Sequence, residues 1–180
     1  MNAKNLTAPI AALAIAAAVL LGASAVLRPM AEEREAAAHG EIMGYMLPTR
    51  PAAFTEEPYD GEDESIRRVF KAEGGYVVEV EAAGYAGPMV LWVGVTSEGR
   101  VSGVTVRDHQ ETFGLGRGAQ TDASFLLQFL GTAGEAAVGD DIDALTGATV
   151  TSKAVTRAVN SAAAFVTGAD ISSGATEWEG

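Results

Sequence analysis

The chain has no cysteine among its 180 residues. That absence removes iron–sulfur clusters, thiolate zinc sites, cysteine nucleophiles and disulfides together. Histidine is nearly as scarce. His39 and His109 are the two present, too few for a histidine-rich metal or multihaem site. Any redox chemistry here therefore needs an organic cofactor or one that uses very few side chains. Positive charge is sparse too: 12 Lys and Arg stand against 24 Asp and Glu, a formal net charge of −12. Such a chain repels nucleic acid, whose binding relies on neutralising phosphates. The acidic balance otherwise speaks only for a soluble domain surface. The length suits one modest domain plus extras, enough to bury a core without metal or disulfide staples.

What is present begins with an apolar run. Residues 10–27 (IAALAIAAAVLLGASAVL) carry no charge, and about 20 helical residues cross a bilayer core. Pro9 sits near its first turn, where a missing N–H does no harm, and Arg28 with Pro29 closes it. Ala23-Ser24-Ala25 also resembles a small-residue cleavage site, the mark of a removed signal peptide. The run exceeds the usual signal core of about 7–15 residues, which favours an uncleaved anchor. Lys4, Arg28 and Arg34 leave the orientation undecided by the positive-inside rule. For a signal-anchor, a short N-terminus with the bulk of the chain translocated is the default. No cysteine follows the run, so a lipid-modified N-terminus is excluded.

The remainder reads as α+β: an antiparallel sheet with packed helices, preceded by one N-terminal transmembrane helix. Residues 30–39 (MAEEREAAAH) favour a short polar helix continuing from the membrane. Residues 40–63 read as a Gly-, Pro- and acid-rich loop, and residues 64–73 (ESIRRVFKAE) as a short amphipathic helix. Three strands are expected at 76–82, 89–96 and 101–107, joined by turns at 84–88 and 97–100. Together they form a meander whose central strand is buried, with Trp92 in the core. Residues 121–130 suggest a helix with Asp122 near its start and Gly131 after its end. Residues 152–165 suggest the last helix, followed by an acidic Gly/Ser-rich tail. The implied division is an anchor (1–29), a helical and loop stalk (30–73), a binding domain (74–166) and the tail (167–180).

The stretch richest in chemistry is Asp143-Ala144-Leu145-Thr146-Gly147-Ala148-Thr149-Val150-Thr151-Ser152, leading into that last helix. Gly147 and its small neighbours allow a ligand to approach the backbone closely. Hydroxyls at Thr149, Thr151 and Ser152 fall at or just before a helix N-terminus, where N–H groups and the helix dipole favour a phosphate. Lys153 in the first turn can add positive charge. Read from generic physics alone, the same residues are more often an ordinary N-cap behind a Gly-containing loop. Spacing alone does not separate the two.

The segment Asp143-x-x-Thr146-Gly147-Ala148-Thr149 resembles the attachment motif of the FMN-binding domain family, in which a flavin transferase esterifies FMN to the final threonine. His109-Gln110-Glu111-Thr112-Phe113-Gly114-Leu115-Gly116 is similar to the family's His-x-Glu-Thr-Pro-Gly-Leu-Gly loop, with Phe113 in place of the usual proline. Gly84-Tyr85-Ala86-Gly87-Pro88, ahead of an apolar strand, matches the family's Gly-Tyr-x-Gly-Pro turn. The likeness covers residues 76–165 plus the anchor, and three motifs in order make coincidence improbable. It is strongest to the G subunits of Rnf ferredoxin:NAD oxidoreductase complexes, with the C subunit of the sodium-pumping NADH:quinone reductase as a relative.

The resemblance implies covalent FMN on Thr149, with Asp143 recognised by the transferase. It also implies cofactor contacts from Thr146, Gly147, Ala148, Thr151, Ser152 and Lys153, and from Glu111, Thr112, Gly114 and Leu115. No residue is expected to be catalytic, and no metal is expected. A threonine hydroxyl is a weak nucleophile and no activating base stands nearby in sequence, so a separate transferase must make the bond. The chain would act as an electron-transfer subunit of an ion-translocating oxidoreductase. Its partners would be the other subunits, the transferase and membrane lipid. It would be held in the cell (inner) membrane by a single span, with its flavin domain outside the cytoplasm. Asp170-Ile171-Ser172-Ser173-Gly174-Ala175-Thr176 repeats the seven-residue pattern, which leaves Thr176 as a secondary attachment site or a chance match. Thr149 is preferred because it alone has the Val-Thr-Ser continuation and a following helix. Two other readings stay open: a flavin-free assembly module, and the FMN domain of a different reductase or extracellular electron-transfer system.

Overall fold

In the computed structural model of the chain, residues 7–109 and 118–168 are described. The chain divides after Gly40 into two compact units. Through the first runs helix α1, Thr7–Met46, which passes through Pro29 and includes the expected polar helix over 30–39 and the first residues, 40–46, of the expected loop. Its Leu13, Val19, Leu20, Leu21 and Leu27 are exposed. Several other side chains of residues 10–27 lie outside the described ones. Among the described residues, no helix is long and apolar enough to cross a membrane.

The second unit is built on a five-stranded antiparallel meander, ordered β1 (Thr55–Glu57), β2 (Ile66–Ala72), β3 (Gly75–Ala83), β4 (Pro88–Thr96) and β5 (Val101–His109). The last three answer to the expected strands, extended by one or two residues at their ends. Strand β4 lies between β3 and β5 and is buried through most of its length, as a continuous apolar run requires. Trp92 is in the core, and its indole N–H donates to Glu79 at 2.8 Å.

Residues 64–73 do not form the expected helix; strand β2, Ile66–Ala72, takes up most of them. Ile66 pairs with Val80 and Arg68 with Glu79, so Arg67 is an extra residue, a β-bulge. The bulge resets the alternation, and Ile66 and Val69 then point to the same side of the sheet. That three-residue spacing imitates a helical stripe. Strand β1 extends the edge with three polar residues. Glu56 meets Arg68 through two hydrogen bonds of 2.9 and 2.8 Å, and Glu57 meets Lys71 at 3.2 Å. Exposed pairs of this kind contribute about 0–1 kcal/mol each, so they set register more than stability.

Both faces of the sheet are covered. On one, Val78, Val80, Leu91, Val93 and Val106 pack against helix α4, Thr149–Thr167, through Ala154, Val155, Ala158, Val159 and Ala162. Small residues on α4 allow the helix to approach the sheet closely. Two short helices, α2 (Gly118–Thr121) and α3 (Ala123–Leu127), complete this layer. The expected helix over 121–130 is thus shorter and begins after Asp122, whose carboxylate caps α3.

On the other face, Phe70, Val77 and Trp92 lie under Met43, Met46 and Leu47 at the end of α1. The facing glycines Gly94 and Gly103 admit the Met46 backbone. A methyl group on Gly94 would lie 2.5 Å from the Met46 carbonyl oxygen. Ser102 Oγ donates to that oxygen at 2.7 Å.

Candidate functional site

Helix α4 begins at Thr149, three residues earlier than the sequence suggests, so Thr149, Thr151 and Ser152 all lie in its first turn. The N-cap is Ala148, which makes no side-chain hydrogen bond. The cap residue is therefore none of the three hydroxyl-bearing residues. Thr149, at the first helical position, is exposed, while Thr151 and Ser152 are fully buried. Ser152 Oγ accepts from the Leu145 N–H and donates to the Ala148 carbonyl, both at 3.0 Å. It fastens the loop to the helix from below. Lys153 is half-buried one turn further on.

The preceding loop shows its polar side chains and hides its anchorage. Asp143, Thr146 and Gly147 are exposed, Leu145 is half-buried, and Ala148 is buried. Gly147 takes φ +74°, a left-handed turn that spares glycine the cost a side chain would bring. At the other end the Asp143 backbone is held by Gln128. Its Oε1 accepts from the Asp143 N–H at 2.7 Å and its Nε2 donates to the Asp143 carbonyl at 3.3 Å. A groove of about 390 Å³ opens beside this contact. Asp122, Ser124, Phe125 and Gln128 line one side, and the loop from Asp143 to Thr146 lines the other. The Ser124 hydroxyl and then the Phe125 amide hold the Asp122 carboxyl below its ordinary range.

The fold brings the start of α4, the Gly84–Pro88 turn and the end of β5 to one end of the sheet. Phe165, near the end of α4, packs edge-on against Tyr76 at 5.6 Å, and Tyr76 pairs with Val95. Nineteen helical residues span about 28 Å and nine strand residues about 30 Å. The start of α4 therefore lies at the opposite end. There β3 turns into β4 through Gly84–Pro88, with the Gly84 N–H donating to Gly87 at 2.9 Å. Met89 pairs there with His109, the last residue of β5. Gly118, the first residue of α2, lies against Leu145; a methyl group on it would be 3.4 Å from a Leu145 Cδ atom. Glu111, Thr112, Phe113, Gly114 and Leu115 lie outside the described residues, as does Thr176.

The arrangement suits an anionic ligand esterified at Thr149. The helix presents an exposed hydroxyl at its positive end, with no acidic residue in its first turn and no side-chain cap. A lysine one turn from that end opposes the helix dipole, and an added phosphate would relieve both features. Sequence reasoning missed Gln128. It lies in a run (TDASFLLQFL) that reads simply as amphipathic, and nothing in its spacing ties it to Asp143.

Residues 84–164 match the FMN-binding domain family. The G subunit of an ion-translocating oxidoreductase complex from Pseudomonas aeruginosa is 32% identical over 180 residues, 83% of each chain. The G subunit of the proton-translocating ferredoxin:NAD(+) oxidoreductase complex of Clostridium ljungdahlii is 44% identical over 99 residues, 51% of this chain and 53% of that one. Its Na(+)-translocating counterpart from Acetobacterium woodii is 34% identical over 97 residues, 48% of this chain and 46% of that one. The match thus spans about half the length of these last two relatives.

Proposed function

Because the chain belongs to the family of G subunits of ion-translocating oxidoreductase complexes and carries the family's FMN-binding domain, we propose that it is an electron-transfer subunit with FMN bound covalently through a phosphoester to Thr149. The observation that carries this reading is an exposed threonine at the first position of a helix whose cap residue makes no side-chain hydrogen bond, inside the Asp143–Thr149 motif. When bound, FMN supplies one- and two-electron transfer. Thr149 fixes its phosphate, and the first-turn amides with Lys153 balance the charge. Thr146, Gly147 and Ala148 form the turn beside it. Buried Thr151 and Ser152 support that turn from within. Glu111, Thr112, Gly114 and Leu115, which lie outside the described residues, are assigned to the flavin by the family resemblance alone, and Asp143 would be read by the transferase.

The uncharged run 10–27 anchors the chain in the cell membrane as a single span, with the flavin domain on the extracytoplasmic side. The exposed leucines and valine of α1 favour contact with lipid. This run contains no ionisable residue, so Na⁺ or H⁺ movement coupled to electron flow belongs to partner subunits. Those subunits supply the electron donor and acceptor.

The test is ultraviolet fluorescence of the denatured protein, isolated from its own host, with peptide mass mapping. Thr149→Val and Thr176→Val are run beside the wild type. Fluorescence lost in Thr149→Val and kept in Thr176→Val is the expected result. Loss in Thr176→Val instead would move the attachment to the tail. No bound flavin while the transferase is expressed would sink the electron-carrier reading and favour a flavin-free assembly module.

A further inference from the structure

We infer that Gln128 is a positioning residue for flavin attachment: its carboxamide holds the backbone of Asp143 so that the transferase meets the acceptor segment already shaped. This inference rests on the reading of Thr149 as the acceptor. The segment from Asp143 to Thr149 has exposed polar side chains on a backbone tied at two places. Gln128 grips the N–H and carbonyl of Asp143 at one place, and Ser152 joins Leu145 to Ala148 at the other. Ser152 belongs to the helix that carries Thr149. Gln128 does not; it follows α3, fifteen residues before Asp143. Its two bonds therefore fix where the recognised carboxylate stands relative to the hydroxyl that is to be modified.

A transferase that must engage both groups at once gains from this arrangement. A loose segment would have to surrender backbone freedom on binding, and a pre-shaped one has already done so. The chemistry itself is a displacement at phosphorus, with no change of oxidation state. The Thr149 oxygen bonds to the flavin-side phosphorus of a flavin dinucleotide, and the phosphoanhydride bond breaks. The nucleoside monophosphate leaves, and the hydroxyl proton passes to a base on the transferase. Gln128 touches none of the reacting atoms. Its effect belongs in the binding of the acceptor chain, not in the turnover of the bound complex.

The experiment measures initial rates of attachment to the full-length chain in detergent. Purified transferase and flavin dinucleotide are supplied, and intact mass is read as acceptor concentration varies. Gln128→Met keeps the length of the side chain and loses both hydrogen bonds. Gln128→Glu keeps the acceptor for the Asp143 N–H and loses the donor. We expect kcat/KM to fall about tenfold or more in Gln128→Met, with most of the fall in KM. Gln128→Glu should be intermediate, and both variants should melt close to the wild type. Attachment to Gln128→Met at the wild-type kcat/KM, or faster, overturns the inference, as does an equal loss in kcat with KM unchanged. A wild-type chain that takes up no flavin overturns the reading of Thr149 instead, which keeps the two failures apart.

Discussion

Asn160 should be among the most costly polar side chains to replace in the second unit, although it lies far along α4 from Thr149. It is buried, and its carboxamide satisfies both backbone groups of Ala136, itself buried. Its Oδ1 accepts from the Ala136 N–H at 3.2 Å, and its Nδ2 donates to the Ala136 carbonyl at 2.9 Å. Asn160→Leu keeps the approximate volume and leaves both Ala136 groups unpaired. A buried donor or acceptor stripped of its partner costs about 1–3 kcal/mol, so the pair implies roughly 3 kcal/mol.

The unit from Glu41 to Gly180 holds 140 residues, that is 180 − 40. At about 2.1 cal/mol/K per residue its unfolding entropy is about 0.3 kcal/mol/K, which converts 3 kcal/mol into a fall in Tm of about 10 °C. Urea unfolding followed by tryptophan fluorescence should show the same loss as a lower midpoint with an unchanged slope. A fall in Tm of less than about 3 °C would mean that the 134–138 segment rearranges or that water replaces the carboxamide. The assignment of Asn160 as its clamp would then be wrong.

Three further outcomes are expected. Gly94→Ala would place a methyl group 2.5 Å from the Met46 carbonyl oxygen. Overpacking of this kind costs about 1–3 kcal/mol. Limited proteolysis should then cut sooner between residues 47 and 54, while attachment at Thr149 persists. Ser152→Ala removes the acceptor of the Leu145 N–H, should cost about 1–2 kcal/mol, and should slow flavin attachment, read by intact mass. The third concerns pH. The Asp122 carboxyl is held below its ordinary value, first by the Ser124 hydroxyl and then by the Phe125 amide. A depressed carboxylate adds stability that is complete above the unfolded value near 3.8 and is lost as pH falls through the lower folded value. Titrating the Ser124 and Phe125 amide resonances should place the loss of the cap below pH 3.8. A midpoint above that value would contradict it.

The parts of this fold that were legible in the sequence are those where one force dominates. Strand β4 is a continuous apolar run because both its faces are covered, and the strands beside it alternate. The Asp143–Thr149 segment could be singled out through its resemblance to a family, since composition and spacing by themselves favour an ordinary cap over a phosphate-binding turn. The structure bears on the cap residue alone: it is Ala148, which makes no side-chain hydrogen bond, and the Ser152 hydroxyl is turned toward Leu145.

What stayed hidden was decided by partners distant in sequence. The bulge at Arg67 gives Ile66 and Val69 a helix-like spacing, and only pairing with β3 reveals them as strand. Thr55–Glu57 has no apolar pattern at all, because an edge strand held by Arg68 and Lys71 needs none. Residues 40–46 read as loop, yet α1 continues through them to Met46. Gln128 shows the same limit at the site. Its importance lies in two hydrogen bonds to a backbone fifteen residues away, and a backbone partner imposes no residue type on the position it occupies. A residue that shapes a site through main-chain contacts therefore leaves no motif of its own. The side chains that meet solvent, Asp143 and Thr149 among them, are the ones a pattern can record.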